Sequence, residues 1–147
     1  MVHLEYLHGD LLSSGEKYIM HGCNNQGLME SGIAAQITRK WPSVFKEYRG
    51  HYERDGLKLG SFHIVRVIPN ELFVINAITQ TQGGVPLSYD ALSKIFQDLN
   101  TVNLGKDRIL AIPQIGAGVA GGKWSIIEQI ILAYAQTYTV RVYVHTP

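Results

Sequence analysis

Strand-like runs and helix-period segments take turns along this chain. Stretches rich in β-branched and aromatic residues occur at HLEYL (3–7), KYIMHG (17–22), FHIVRVI (62–68), LFVINA (72–77), RILAIP (108–113) and TVRVYVH (139–145), the pattern expected of strands with one or both faces buried. Between them, the segments at about 31–40, 43–54, 88–100 and 124–136 repeat their apolar positions at helical spacing and predict helices. The runs 62–68 and 72–77 are parted by little more than Pro69-Asn70, which predicts a hairpin. The other connections mostly alternate strand with helix, so an α/β sandwich around a mixed sheet follows. In such folds ligands collect at the carboxyl ends of the strands.

Two loops at predicted strand ends carry unusual chemistry. In QIGAGVAGGKW (114–124), Gly116, Gly118 and Gly121 fit G-x-G-x-x-G between a strand and a helix. In that context bare backbone amides and a helix amino terminus hold a pyrophosphate. A full dinucleotide-binding reading fails, because the loop comes late in the chain and no acidic residue follows Glu128. The triphosphate-binding pattern fails as well: Ala117 stands where it needs glycine and Trp124 where it needs Ser or Thr. The second loop, HGCNNQGLMESGIAAQ, sets the amides Asn24, Asn25 and Gln26 beside Gly27 and opens a helix through Ser31 and Gly32. Small residues there let a ligand approach the free N–H groups of the first turn. Together the two loops are suited to gripping both sides of a diphosphate. The plainer alternatives are a glycine-rich packing turn for the first loop, and an N-cap at Ser31 with turn-forming amides for the second. Asp10, after Gly9 at a strand end, is either an acceptor for the exocyclic amine of a base or an ordinary turn residue.

Composition narrows the partners. A chain of 147 residues, 46% hydrophobic, supports one sizeable core, so a single domain over 1–147 is expected. Its net charge of +1 gives no broad basic field, and nucleic acid is not an expected partner. Cys23 stands alone, and no histidine sits at metal-ligand spacing with another ligand, so neither disulfide, metal nor cofactor is expected. The first residues lack a basic and apolar leader, and no apolar run approaches membrane-spanning length. A cytoplasmic monomer without membrane contact is the expectation.

GDLL near the amino terminus, CNNQGLMESGIA opening the first long helix, INAITQ ending a middle strand and PQIGAGVAGGKW near the carboxyl terminus together resemble the macrodomains, in order and over nearly the whole chain. The branch that includes the ADP-ribose-1''-phosphate phosphatases is the most similar, and the ADP-ribosyl-glutamate hydrolases are more distant. The resemblance implies a three-layer α/β/α sandwich with a six-stranded mixed sheet and a cleft for ADP-ribose. It sets Asp10 and Leu11 at the adenine and Gly32, Ile33 and Ala34 on the diphosphate. Gly116, Ala117, Gly118, Val119, Ala120 and Gly121 would surround the diphosphate and distal ribose, with Asn24 at that ribose, and Gln26, Gly27, Ser31 and Ile115 complete the substrate-binding candidates.

The phosphatase pattern H-x-C-N-x-x-G is matched by His21, Cys23, Asn24 and Gly27, which implies His21 as a base or nucleophile in removing phosphate from the distal ribose. Histidine suits that work because its ordinary pKa leaves it partly neutral near pH 7. A half-buried structural histidine is the alternative, and Cys23 reads as a small buried residue. The hydrolase branch uses a lysine near the end of the middle strand and an aspartate after the late glycines. NAITQ (76–80) has no lysine and Ala120 no carboxylate, so covalent lysine chemistry is not expected. The expected activity is hydrolysis of ADP-ribose 1''-phosphate; the alternative is a non-catalytic reader of free or protein-linked ADP-ribose. Gln80, Ser88 and Tyr89 are further candidates for ribose contacts. Lys123 is a candidate phosphate neutraliser, and Trp124 is either a pocket wall or core. Tyr48 and Tyr52 read as the inner face of an amphipathic helix.

Overall fold

The computed structural model describes residues 3–29, 32–81, 87–115 and 122–144. In chain order the elements are β1 (Leu4–His8), a 3-10 turn (Leu11–Ser13), β2 (Tyr18–Asn24), α1 (Gly32–Lys40), α2 (Pro42–Asp55), β3 (Phe62–Ile68), β4 (Leu72–Gln80), α3 (Tyr89–Asp98), a second 3-10 turn (Leu99–Thr101), β5 (Ile109–Pro113), α4 (Trp124–Tyr134) and β6 (Thr139–Val144). The strands form one six-stranded sheet in the order β1-β6-β5-β2-β4-β3. Every neighbouring pair is parallel except β3 with β4. That pair is the expected hairpin, closed by the Glu71 N–H donating to the Ile68 carbonyl at 3.0 Å. Asn70 turns the chain with φ of 63°, a conformation asparagine tolerates better than most residues.

The central strands read as near-continuous apolar runs because both of their faces are buried. Along β2, Tyr18 and Met20 join one core with Ile75, Leu110, Ile112, Val140 and Val142, under Leu92, Ile95 and Phe96 of α3 and Ile127 and Ile131 of α4. Ile19 and Cys23 face the other way, with Val74, Ile78 and Ala111, under Ile37 of α1 and Val44 and Tyr48 of α2. The molecule is therefore the α/β/α sandwich expected from the sequence. Local signals agree with the helix bounds. Pro42 opens α2 at the position where a missing N–H costs nothing, and the Ser88 side chain caps α3 by accepting the Ala91 N–H.

This topology determines where a ligand can reach the backbone. From β2 the chain leaves through α1 and α2 on one face of the sheet, whereas from adjacent β5 it leaves through α4 on the other. Neighbouring parallel strands whose connections depart to opposite faces leave a crevice between their carboxyl ends.

Candidate functional site

The crevice is built from the roots of both predicted cradles. β2 and β5 are parallel neighbours, with Ile19 opposite Ala111, so the loops after Asn24 and after Pro113 leave adjacent strand ends. Ile115 is buried at the start of the second loop, its N–H donating to the Pro113 carbonyl at 2.7 Å. Gly22 lies against it. A Cβ on Gly22 would come within 2.9 Å of Thr79 Oγ1 and 3.3 Å of Ile115 Cγ1, so only a residue without a side chain lets β2, the end of β4 and the β5 loop meet. Ser31 and the run Gly116, Ala117, Gly118, Val119, Ala120 and Gly121 lie outside the described residues.

The β2–α1 loop is held from behind by α2. Asn24 Oδ1 accepts the Gln26 N–H at 2.9 Å, an Asx turn, and its Nδ2 donates to the Leu28 carbonyl at 3.2 Å. The Tyr48 hydroxyl reaches both Asn24 oxygens and receives the Gly27 N–H at 3.1 Å. Arg49 Nη1 donates to the Gly27 carbonyl at 3.2 Å. Asn24, expected at the distal ribose, thus spends its side chain on shaping the loop, while Gln26 is exposed. Gly32, at the start of α1, is exposed, and Ile33 and Ala34 are half-buried in its first turn, where backbone N–H groups lack partners within the helix.

Asp10 follows β1 at the same edge of the sheet. Its carboxylate caps the 3-10 turn, accepting the Leu12 N–H at 3.0 Å and the Ser13 hydroxyl at 2.9 Å, while Leu11 is buried beneath. The turn-forming role of Asp10 is therefore present.

The expectation for His21 needs correction. Its side chain is 0% exposed, in the core between the sheet and α2. Nε2 lies 2.6 Å from Oδ1 of Asn76, its partner in register on β4, and Asn76 Nδ2 donates onward to the Val44 carbonyl of α2 at 3.4 Å. Burial lowers the imidazole pKa to about 4 against the smaller opposing effect of the Asn76 hydrogen bond. A neutral ring therefore donates Nε2–H to Asn76. With no surface open to solvent, it does not touch a substrate as a base or nucleophile would. Cys23 beside it is buried, and burial pushes its thiol pKa up, so it is an inert core residue.

Other second-rank candidates are partly committed elsewhere. Tyr89, at the start of α3, accepts the Lys123 N–H at 3.0 Å through its hydroxyl and so ties α3 to the entry of α4. Trp124 is half-buried, edge-on to Tyr6, and donates to the Tyr6 hydroxyl, which in turn donates to Glu128. Gln80 is half-buried at the end of β4, and Lys123 is exposed. Among the described residues, no group of three or more His, Cys, Asp or Glu is placed to hold a metal, and no helix is long and apolar enough to cross a membrane.

Tyr48 is the site residue that sequence reasoning missed. Tyr52, one turn on and expected on the same inner face, is exposed, and nothing local announces that the Tyr48 hydroxyl reaches a loop 24 residues earlier.

Comparison with known proteins adds a family. The model described as "Macro domain" matches residues 20–131. An uncharacterized 17.5 kDa protein of Enterobacteria phage T4 is 32% identical over 90% of each chain. The DNA ADP-ribosyl glycohydrolase of Mycobacterium tuberculosis is 27% identical over 98% of this chain and 42% of its own length, so this chain spans less than half of that relative. The solved macrodomain of Mycobacterium tuberculosis DarG superposes with a TM-score of 0.84 at 25% identity, covering 100% of this chain and 99% of its own. The ADP-ribose 1''-phosphate phosphatase of Candida albicans is 25% identical over 87% of this chain and 91% of its own length.

Proposed function

The chain belongs to the macro domain family, and on that premise we propose that it binds ADP-ribose along the carboxyl edge of the sheet and hydrolyses ADP-ribose 1''-phosphate to ADP-ribose and inorganic phosphate. The observation that carries this reading is the adjacency of the β2 and β5 ends, joined at Gly22 and Ile115. Backbone amides from two loops at one crevice suit two linked phosphoryl groups. Asp10 follows β1, a strand three positions from β2 and thus about 14 Å away at the usual inter-strand spacing. That separation suits an extended nucleotide whose adenine meets Asp10 and whose distal ribose lies beyond the diphosphate.

In the proposed reaction water attacks phosphorus, the bond to the ribose oxygen breaks, and that oxygen takes a proton. With His21 sealed in the core, the protein's contribution in this reading is to orient backbone N–H groups toward the charge developing on the phosphoryl oxygens. The fungal phosphatase supports this choice of substrate. The mycobacterial relative is named for ADP-ribosyl-DNA, but a net charge of +1 offers this chain little attraction to a polymer, so a free small molecule is the favoured substrate.

The second reading is a reader that binds free or protein-linked ADP-ribose without chemistry. Two observations favour it: the burial of His21 and the absence of a lysine in NAITQ (76–80). Calorimetry with ADP-ribose and a phosphate-release assay with ADP-ribose 1''-phosphate separate the two. Binding with release supports the phosphatase, binding without release supports the reader, and no binding overturns both.

A further inference from the structure

We propose that Tyr48 of α2 is a positioning residue whose hydroxyl holds the β2–α1 loop in its ligand-binding shape; the binding half of this inference rests on the ADP-ribose reading above. The ring is 0% exposed and packs at 6.2 Å, centroid to centroid, from Phe45. A phenylalanine would fill that space equally well. What the hydroxyl adds is a junction: its proton is directed at the Asn24 carbonyl and Asn24 Oδ1, both 2.8 Å away, while it accepts the Gly27 N–H at 3.1 Å. A hydroxyl has one proton and two lone pairs, so one buried atom ties the start of the loop to its apex. Burial also pushes the phenol pKa up, which keeps that proton in place.

The rest of the loop is moulded on the same helix. Asn24 Oδ1, already bonded to Tyr48, also accepts the Gln26 N–H, and Asn24 Nδ2 donates to the Leu28 carbonyl. Gly27 has φ of +81°, and a Cβ there would lie 2.8 Å from both Arg49 Nη1 and Tyr52 Cδ2. Gly27 therefore lies against Tyr48, Arg49 and Tyr52, and Arg49 is held in turn by Glu53 at 2.8 Å and by the face of Tyr52. Removing the Tyr48 hydroxyl leaves the Gly27 N–H and the Asn24 oxygens without their shared partner, so the loop keeps only the Arg49 bond to the Gly27 carbonyl as a tie to α2, with no change in the packing of the core.

The test compares Tyr48→Phe with Tyr138→Phe. Tyr138 is a second buried tyrosine, packed with the α3 and α4 core, and its hydroxyl donates to the Phe96 carbonyl at 2.6 Å. Tyr48→Phe loses the bond its hydroxyl donates to Asn24 and the one it accepts from Gly27, whereas Tyr138→Phe loses the one bond to Phe96, so both variants should be destabilised and Tyr48→Phe the more. In the ligand-free protein, amide hydrogen exchange of Gly27 and Gln26 should accelerate by about tenfold in Tyr48→Phe and by less in Tyr138→Phe, where any gain at Gly27 should not exceed that of the core amide of Ile75. Calorimetry well below the melting temperature should show ADP-ribose binding weakened by about tenfold in Tyr48→Phe and within about twofold of wild type in Tyr138→Phe. Unchanged exchange at Gly27 overturns the proposal, as does an equal loss of affinity in both variants, which would make Tyr48 a stability residue alone. If the wild type does not bind ADP-ribose, the functional reading fails, while exchange at Gly27 still decides whether the hydroxyl holds the loop.

Discussion

His21 and Asn76 face each other in register across β2 and β4, with Nε2 of the imidazole 2.6 Å from the amide oxygen, and the pair is closed beneath α2. A histidine so placed links stability to pH. Its native pKa, lowered to about 4 by burial, lies below the ordinary 6.5 of the unfolded chain, so the unfolded state binds more protons between these values. Stability from the neutral ring is complete above pH 6.5, falls as pH drops through that value, and levels off below about 4. The total loss is about 3 kcal/mol. His63, lowered first by burial and then by the charges of His51 and Arg54, adds in the same direction. Urea midpoints should fall from pH 7.5 to pH 4.5, and the His21 ring signals in NMR should not titrate near pH 6.5. A midpoint of 6 or above for that ring would defeat the assignment.

Cys23 shares the environment of His21, with Sγ 3.7 Å from Nε2. A buried thiol with a raised pKa offers almost no thiolate to an alkylating reagent at pH 8. Native protein should therefore resist iodoacetamide, and labelling should follow the rate of unfolding in urea. Rapid stoichiometric labelling of folded protein would show that this face of β2 opens to solvent.

Gly22 packs where β2, the end of β4 and the root of the β5 loop meet, and Gly50 gives the contrast. Gly22→Ala drives a methyl to 2.9 Å from Thr79 Oγ1, itself hydrogen-bonded to the Cys23 carbonyl, and to 3.3 Å from Ile115. The overpacked junction should cost about 1–3 kcal/mol of stability and weaken ADP-ribose binding by moving the root of the β5 loop. Gly50→Ala, inside α2, meets only the mobile end of Arg54 at 3.1 Å and gains helix propensity, so it should be neutral or stabilising by up to about 1 kcal/mol. Thermal melts and calorimetry on both variants check the pair; a Gly22→Ala protein that binds normally would disconnect this junction from the ligand.

These residues also show which parts of the molecule are legible in the sequence. The strand at 62–68 has the bounds read from its run of β-branched and aromatic residues, types that suit a pleated, half-buried strand. β4 runs on past Ala77 to Gln80, since Thr79, polar and therefore outside the apolar pattern, is buried where β2 and the β5 loop converge. The end of β5 at Pro113 was readable because the apolar run stops there against a turn-forming residue. The fates of His21, bound to a residue 55 positions later, and of Tyr48 were not, because each depends on which elements the fold brings together. The motif that suggested His21 as a base identifies a position on a strand, and only the sheet decides which layer that position faces.

Asp10 separates recognition of the base from the stability of the fold. Its carboxylate accepts the Leu12 N–H and the Ser13 hydroxyl, and asparagine caps nearly as well as aspartate, so Asp10→Asn should melt within about 0.5 kcal/mol of wild type. The substitution nevertheless replaces one acceptor oxygen with a donor NH₂ group. If the carboxylate meets the exocyclic amine of adenine, losing that charged hydrogen bond should weaken ADP-ribose by about tenfold or more. Asp10→Ala should lose the cap and the affinity together, destabilising by about 1 kcal/mol. Wild type should also prefer ADP to GDP, because guanine presents a carbonyl oxygen where adenine presents its amine. Asp10→Asn should narrow that preference. Equal binding of ADP and GDP by wild type, with unchanged affinity in Asp10→Asn, would leave Asp10 a turn residue alone and remove adenine from this end of the crevice.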